Sequence, residues 1–323
     1  MLVWRKPRQR CNLLTVRIRF QAWQLALLLV LLCAGAITAI YVYRSSGGES
    51  PALLASYLPP GEGTLVYLDV GALRRSGILD LIAGKKAAAD LEYESFVNET
   101  KFDYRDDLQA VLAFFKKDEV FMIVRGRFDW KSLREYAERH GGSCNNGYCT
   151  TPGSKPERIV SFYPVRQDLM ALAVSRDSGA AYNITKRTMH KPLDPPFQPV
   201  WAILTGPGLK SFTALPAVTG PFATALENAE QIVVTLGESE IHLQMNIKVT
   251  CQSSDKASLL MTDLQMNTDR LRRKLAEDHK EANPDDLTGI LSAGTFERHD
   301  RTVTGVWPVR RAFIEALAGG NYQ

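Results

Sequence analysis

Hydrophobic and polar positions divide the chain into a uniformly apolar N-terminal stretch and a longer, alternating remainder. Between Arg19 and Arg44 no residue is charged, and Trp23 to Tyr43 is apolar apart from Gln24 and Thr38. At about 1.5 Å per residue, this stretch reaches across roughly 30 Å of hydrocarbon, and aromatic residues lie near both of its ends. The pattern predicts a transmembrane helix over 23–43.

Basic residues are concentrated before that stretch. Six Lys and Arg side chains precede it, whereas Arg44 alone follows it before Arg74. Under the positive-inside rule, residues 1–22 should form a basic tail in the cytoplasm, with the bulk of the chain outside. We therefore expect a single-pass protein of the inner (cytoplasmic) membrane, held in the bilayer by Trp23 to Tyr43.

A cleaved signal peptide is the alternative interpretation of the same stretch. Leu25 to Cys33 resembles the apolar core of such a peptide, and Ala34-Gly35-Ala36 has the form of a cleavage site. Apolar sequence continues past that site to Val42, which favours a retained anchor. A lipoprotein anchor at Cys33 is disfavoured, because Leu32 stands where a small residue is expected. Each alternative places the large domain outside the cytoplasm.

The first part of the remainder alternates between strand-like and helical patterns. After a linker at 44–58, the β-branched run Thr64–Val70 predicts a strand, and a helical pattern follows it to near Gly84. The further predicted strands are Ala110–Phe115, Val120–Val124, Ile159–Val165 and Leu169–Val174, and the further predicted helices are Tyr93–Val97, Tyr104–Leu108, a helix capped by Asp129, and Asp177–Met189.

The second part repeats this order of elements. Its predicted elements are a strand at Pro199–Leu204, a helix at Leu209–Leu226, a hairpin of Gln231–Leu236 and Ile241–Val249 turned by Gly237-Glu238-Ser239, a helix at about Asp255–Glu281, a hairpin of Gly289–Phe296 and Thr302–Trp307, and a helix at Arg310–Leu317. Each half reads β-α-β-β-α-β-β-α without a repeat of residues. We expect an α+β fold with mixed or antiparallel sheets, built from a first unit at 59–192 and a second unit at 193–323.

The positions of the charged residues along the chain bear on the kind of partner that the protein binds. The 323 residues have a formal net charge of +4, but seven of the 39 Lys and Arg residues precede Ser45, whereas all 35 Asp and Glu residues follow it. The bulk of the protein is therefore mildly acidic and offers no basic surface to a phosphate backbone, so we expect no nucleic-acid partner. A hydrophobic fraction of 45% excludes wholesale disorder.

Two cysteines lie on either side of a turn sequence. Cys144 and Cys149 flank Asn145-Asn146-Gly147-Tyr148, and its Asn-Gly pair favours a tight chain reversal. In an oxidising compartment these residues should form a disulfide. The alternative is a metal site of both cysteines with His140, which lacks a fourth ligand at a recognisable spacing. We interpret Cys251 as a buried thiol.

Two groups of motifs resemble those of a known group of proteins. They are Leu58-Pro59-Pro60 with Val66-Tyr67-Leu68-Asp69-Val70 and Leu73-Arg74, and Gly126-Arg127-Phe128-Asp129 with Leu133, Tyr136-Ala137 and Gly141. The chain resembles, over Leu58 to Met189, an uncharacterised family of exported bacterial proteins described as a domain of unknown function. The resemblance implies a membrane-anchored envelope protein and supplies no catalytic residues.

Catalytic motifs do not stand out. The five histidines include no His-x-x-x-His pair, and the chain has no Gly-x-Ser-x-Gly, Gly-x-Gly-x-x-Gly or Gly-Lys-Ser/Thr sequence. We therefore predict no catalytic, cofactor-binding or metal residues and no cofactor. Asp69, which shares a strand face with Tyr67, is a weak polar-site candidate, and capping of the following helix is its structural alternative.

These observations favour a non-enzymatic envelope protein whose outer domain binds a protein or surface ligand, in a groove where the two halves meet. One alternative is an extracytoplasmic enzyme, such as a hydrolase, with a site assembled from distant residues; a pocket uniting Asp69 with a histidine would favour it. Another is a type II glycosyltransferase-like enzyme. It fits the anchor and the glycosylation patterns at Asn98 and Asn183, but the chain has no Asp-x-Asp motif.

Overall fold

The computed structural model describes residues 50–82, 91–155, 157–184, 194–205, 220–226, 229–239 and 242–318. The predicted basic tail, the predicted transmembrane helix at 23–43 and the first part of the linker lie outside these residues. Within the described ranges, no helix is both long enough and apolar enough to cross a membrane.

Strands and helices alternate along the described chain. The strands are β1 (Thr64–Leu68), β2 (Leu108–Lys116), β3 (Glu119–Gly126), β4 (Ser143–Asn145), β5 (Tyr148–Pro152), β6 (Ile159–Arg166), β7 (Leu169–Ser175), β8 (Val200–Thr205), β9 (Gln231–Ser239), β10 (His242–Thr250), β11 (Thr295–His299) and β12 (Thr302–Val309). The helices are α1 (Pro51–Ala55), α2 (Val70–Arg75), α3 (Leu91–Thr100), α4 (Trp130–Arg139), α5 (Ala180–Asn183), α6 (Gly220–Leu226), α7 (Ser254–Glu277), α8 (Leu287–Ser292) and α9 (Arg311–Ala318), and residues 78–82 are helical as well.

The strands form one 12-stranded sheet with the order β11-β12-β10-β9-β8-β1-β2-β3-β7-β6-β5-β4. Neighbouring strands run antiparallel throughout this order. The predicted α+β class with an antiparallel sheet is confirmed. Outward from the β1–β8 pair, β2, β3, β7, β6, β5 and β4 follow on one side, and β9, β10, β12 and β11 follow on the other. We call the β1 side the first half, the β8 side the second half, and the β1–β8 pair the seam.

Each half builds its core on a different face of the sheet. We call face A the one that carries Val66 and Ile232, and face B the one that carries Tyr67 and Trp201, because strand side chains alternate between the two faces. On face A, buried residues of β9, β10 and β12 pack with α7 and with the short helices α2, α6, α8 and α9. On face B, buried residues of β2, β3 and β7 pack with α1 and α5.

The seam contributes to both cores. Leu204 of β8 belongs to the core on face A, whereas its neighbour Ile203 belongs to the core on face B. Across the seam, the rings of Tyr67 and Trp201 stack on face B with their centroids 5.3 Å apart. The residues of β1 and β8 must therefore be apolar on both faces, which explains their nearly continuous hydrophobic runs.

Polar residues set the starts of several helices. The Ser253 hydroxyl accepts a hydrogen bond from the Lys256 N–H at 3.2 Å and caps α7, whose Ala257, Leu260 and Leu264 face the core at helical spacing. The Asp129 carboxylate caps α4 as predicted. The described parts of the helices predicted at 177–189 and 209–226 are α5 and α6, and residues 185–189 and 209–219 lie outside the described ranges.

The structure corrects the helix predicted at Tyr104–Leu108. Residues 104–107 form a turn that leads into β2. The Asp103 carboxylate accepts a hydrogen bond from the Arg105 N–H at 2.8 Å, and the Asp107 carboxylate accepts one from the Asp103 N–H at 2.9 Å. These local side-chain bonds compete with the bonding pattern of a helix, so the acidic residues stabilise a turn.

Two further predictions in the second half are wrong. Gly289–Phe296 is not a strand throughout: Asp286 accepts a hydrogen bond from the Gly289 N–H at 2.7 Å and caps α8, so β11 begins only at Thr295. Gly237-Glu238-Ser239 is not the hairpin turn. The backbone of this segment continues β9 and pairs with β10 up to Ser239.

Candidate functional site

Asp69 caps the helix that follows the first strand. Its Oδ1 accepts a hydrogen bond from the Ala72 N–H at 2.7 Å, at the start of α2. Burial and, to a smaller extent, the negative charge of Asp69 raise the pKa of the neighbouring Tyr67 to about 12. In the described part of the chain, no histidine is hydrogen-bonded to Asp69. In the structure, Asp69 is therefore the N-terminal cap of α2, as the structural alternative predicted.

The predicted disulfide between Cys144 and Cys149 is confirmed. The two residues lie directly opposite each other on β4 and β5, with Cα atoms 4.1 Å apart. Asn146 and Gly147 connect the strands with φ angles of 50° and 81°, as a type I′ turn requires. The Asn-Gly signal thus brought the two thiols together as the sequence predicts.

The alternative metal site at these cysteines is wrong. Both sulfurs are consumed by the disulfide, so neither is a thiolate ligand. His140 instead ends α4, where its Nε2 lies 3.5 Å from the Glu99 carboxylate. Within the described ranges, no three His, Cys, Asp or Glu side chains are grouped so that they could hold a metal ion.

A cavity of about 370 Å³ lies at the seam on face B, and we call it the seam cavity. Leu65, Phe114 and Ile203 form its sheet wall, residues 58–61 form the opposite wall, and Gln231 lies at its edge. Leu65 belongs to the first half and Ile203 to the second, and the two residues are directly paired. The sequence predicts a groove where the halves meet, and this cavity lies at that junction.

A close approach between backbone segments shapes the outer wall of the seam cavity. A Cβ atom at Gly63 would lie 2.4 Å from the Phe115 carbonyl oxygen and 2.8 Å from the Phe114 ring, so a side chain does not fit there. The Gly63 N–H donates to the Thr205 hydroxyl at 3.3 Å, and the Thr205 N–H donates to the Gly63 carbonyl at 3.0 Å. These bonds tie the loop before β1 to the end of β8.

A second cavity of about 370 Å³ lies on the other side of Pro59 and Pro60. We call it the acidic cavity, because it is lined by the carboxylates of Glu119 and Asp177. The Asp177 carboxylate accepts hydrogen bonds from the Gly179 N–H at 2.8 Å and the Asn183 side chain at 3.2 Å. The two prolines thus separate an apolar compartment from a negatively charged one.

The serine in the acidic cavity has a structural role. Ser175 is 1% exposed, and its hydroxyl donates to the Glu119 carboxylate at 2.5 Å. The same oxygen accepts a hydrogen bond from the Asp177 N–H at 3.1 Å. Because it is buried and bonded on both sides, this hydroxyl fixes the end of β7 and does not face a ligand.

The two cavities have the properties of a binding site. The seam cavity can hold an apolar group, with the Gln231 amide as a polar contact at its edge. The acidic cavity can attract a positively charged group, since two carboxylates line it. Sequence reasoning missed Leu65, Phe114 and Ile203 as cavity residues, because their pattern is that of ordinary strand residues. The Pro59-Pro60 pair, which lines both cavities, is the sequence feature that could have indicated their position.

Comparisons with known proteins add a distant structural likeness. No family model and no curated protein matches the chain. Among solved structures, crystal form I of the protein TP0453 gives a TM-score of 0.49 at 11% identity, covering 84% of this chain and 98% of that chain. Crystal form IV gives 0.43 at 11% identity, with 83% and 96% covered, and crystal form III gives 0.42 at 12%, with 82% and 95% covered. No functional assignment follows from these values.

Proposed function

We propose that this protein is a single-pass envelope protein whose extracytoplasmic domain binds a ligand in the seam cavity without transforming it. Trp23 to Tyr43 anchors the chain in the cytoplasmic membrane, and the basic residues before it hold the N-terminus in the cytoplasm. The disulfide between Cys144 and Cys149 supports an outer location, because disulfides persist in oxidising compartments.

The two halves of the sheet are related as an internal repeat of topology. In both halves, the first strand lies at the seam, the next hairpin follows outward, and a helix precedes the hairpin that follows beyond it. The first half has the additional hairpin of β4 and β5 between this helix and β6. The helix is α4 in the first half and α7 in the second. This correspondence supports the proposal that β-α-β-β-α-β-β-α units at 59–192 and 193–323 are equivalent, and that they meet at the seam.

The seam cavity is the observation that carries the binding proposal. Its walls come from both halves, and they are mainly apolar side chains beside the Gln231 amide. Sites between two structural units bury more of a ligand than one surface does. The seam cavity therefore suits an apolar group or side chain of a protein or surface ligand that carries one hydrogen-bonding end.

Site-specific photocrosslinking in intact cells tests this proposal. A photoreactive amino acid in place of Gln231, at the edge of the cavity, should give an adduct of discrete mass on illumination. The matched control is Lys248, which is exposed on the same face and two strands from β8. Equal adducts at both positions, or none at residue 231, would contradict binding in the seam cavity.

A reporter fusion tests the location of the domain. Alkaline phosphatase fused after Gln323 should be active, because this enzyme folds outside the cytoplasm, and a reporter active only in the cytoplasm should be silent at the same position. The reverse pattern would contradict the orientation. A mature N-terminus near Ala36 in the purified protein would show that the anchor is cleaved.

A further inference from the structure

A second surface, on face A of the first half, is apolar and belongs to neither core. It consists of eight side chains from β1, β2, β3, β6 and β7, which we call the apolar sheet surface: Val66, Phe115, Val120, Met122, Val160, Phe162, Leu172 and Val174. Phe115 is the most exposed of them, at 44%, and the others are half-buried. Contiguous apolar surface of this kind marks an interaction site.

The strand register makes this surface continuous. Met122 lies opposite Leu172, and Leu172 lies opposite Phe162, so one row of side chains crosses the strands. A neighbouring row runs from Phe115 through Val120, Val174 and Val160. Directly opposite side chains are close enough to contact each other. The two rows therefore present one apolar face rather than isolated residues.

The second half shows what covers the equivalent face. There, Val234 and Ile247 continue the same cross-strand row and pack in the core with α7, whose 24 residues span about 36 Å. In the first half, the equivalent helix α4 has 10 residues, about 15 Å, and it packs on β4 and β5 at the margin of the sheet. A long amphipathic helix is thus the covering element that this side of the sheet accommodates.

A charged cavity of about 360 Å³ adjoins the apolar sheet surface, and we call it the ionic cavity. Arg158 and Arg176 lie two positions from Val160 and Val174, so the cavity continues the outer row. It is lined by three basic side chains, Lys155, Arg158 and Arg176, and by two acidic ones, Asp118 and Glu157. Arg176 pairs with Glu157 at 2.9 Å and Arg158 pairs with Asp118 at 3.6 Å, so the net positive charge of the cavity is that of Lys155. This net charge favours an acidic group on whatever occupies the surface.

We propose that the apolar sheet surface docks an amphipathic helix of a partner protein, with acidic side chains at the helix end that meets the ionic cavity. Four inter-strand spacings of roughly 4.8 Å separate β1 from β6, so a helix of about 13 residues crosses the surface. In a symmetric contact through this same surface, a second copy of this chain would bring a second cavity with the same net positive charge. The charge of the site therefore favours a different partner.

Crosslinking of the full-length chain in membranes of producing cells tests the proposal. A photoreactive residue at Phe115 should crosslink to another protein, in a segment with apolar residues at three- and four-residue spacing and acidic residues at one end. The control position is Leu259, which is 60% exposed on α7. Adducts to a second copy, to lipid or to a segment without this pattern would overturn the proposal, as would no adduct or an equal adduct at residue 259.

Two substitutions allow the crosslinking yield to be compared quantitatively. Leu172→Glu places a carboxylate on the apolar sheet surface and should lower the crosslinking yield at least about tenfold, because docking would bury an unpaired charge. Arg176→Glu reverses a charge at a side chain that is 76% exposed and pairs with Glu157 at 2.9 Å, and it should also lower the yield. Leu259→Glu should leave the yield unchanged. An unchanged yield in Arg176→Glu would overturn the acidic-helix assignment.

The crosslinking test of the apolar sheet surface can be distinguished from the crosslinking test of the seam cavity. The apolar sheet surface lies on face A and the seam cavity on face B, so photoreactive residues at 115 and 231 report on opposite faces. An adduct at 115 without one at 231 would reject the seam cavity alone. An adduct at 231 without one at 115 would reject the docking surface alone.

Discussion

The two halves of the sheet share a strand order but bury opposite faces. In the second half, α7 covers face A, and face B remains polar: the Asn246 side chain bonds to Gln244 at 2.6 Å and to Thr235 at 3.4 Å. In the first half, the short helices α1 and α5 cover face B, and face A remains apolar and half-exposed. Strand order therefore does not decide which face of each half is buried. The length and position of the covering helices decide it.

The largest expected difference is between a leucine of the helix that covers face A in the second half and a leucine of the sheet on face A in the first half. Leu264→Ala in α7 should lower the free energy of unfolding by about 2–5 kcal/mol, because Leu264 is 1% exposed and its removal leaves a cavity. Leu172→Ala on the apolar sheet surface should lower it by about 1 kcal/mol or less, since half-exposed sites lose less. Urea denaturation of the full chain measures both. Equal losses would show that the first half is covered on face A after all.

Truncation of a buried leucine in α1 should have a nearly comparable effect on the other face. Leu54 is fully buried in the core of the first half, so Leu54→Ala should lower the free energy of unfolding by about 2–4 kcal/mol. Hydrogen exchange should accelerate in β2, β3 and β7 more than in β9, β10 and β12. Uniform acceleration in both halves would argue that the two cores unfold as one unit.

Loss of the disulfide should destabilise the first half, and only moderately. Cys144→Ser should lower the free energy of unfolding by at most about 2 kcal/mol, because the bridge closes a short loop and constrains the unfolded chain little. Alkylation without reductant should leave both cysteines of the folded wild-type protein unlabelled. Labelling of either one would contradict the disulfide.

The caps Asp69 and Asp286 form a matched pair between the halves. Each accepts a hydrogen bond from a backbone N–H at 2.7 Å at the start of a six-residue helix. Replacement of either residue by alanine should lower the free energy of unfolding by about 1 kcal/mol. The photocrosslinking yield at residue 231 should be unaffected by both. A selective loss with Asp69→Ala would give Asp69 a binding role in addition to its cap.

The smallest effect appears only at alkaline pH and concerns the seam. The pKa of Tyr67 is raised to about 12 by burial and then by Asp69, so its contribution to stability is fully present below pH 10. It is lost as the pH rises towards 12, because ionisation of the tyrosine is then easier in the unfolded chain. Tyr67→Phe should fold normally at pH 7 and lose less stability than the wild type between pH 10 and 12.

Much of the fold follows from local patterns in the sequence. The hairpin of β2 and β3, the cap of α4 at Asp129 and the long helix α7 are predicted because alternation, capping residues and helical spacing act over a few residues. The Asn146-Gly147 turn likewise predicts the disulfide. The Asp103–Asp107 segment was misinterpreted because its carboxylates suit a helix start and a turn equally, and only the surrounding contacts decide between them.

The seam cavity and the apolar sheet surface could be predicted from the sequence much less well than the fold. The seam cavity requires Leu65 and Ile203 to lie side by side, although they are distant in the chain and look like ordinary strand residues. The apolar sheet surface has the same pattern as a buried strand face, and only the absence of Met122 and Leu172 from either core distinguishes it. Both features depend on where helices of different length come to lie, which local periodicity does not encode.

The seam also dictates the order in which the protein can assemble. The loop before β1 bonds to the end of β8 across 142 residues, so the centre of the sheet closes only after most of the chain is available. The entropy of closing so long a loop slows this step, as in other folds with distant strand pairing. While the chain emerges N-terminus first, β1 has an unpaired edge that can pair with other extended chains. Release of the chain before Thr205 should therefore yield an aggregation-prone half-sheet, and protection of this nascent edge becomes a requirement for the protein's biogenesis.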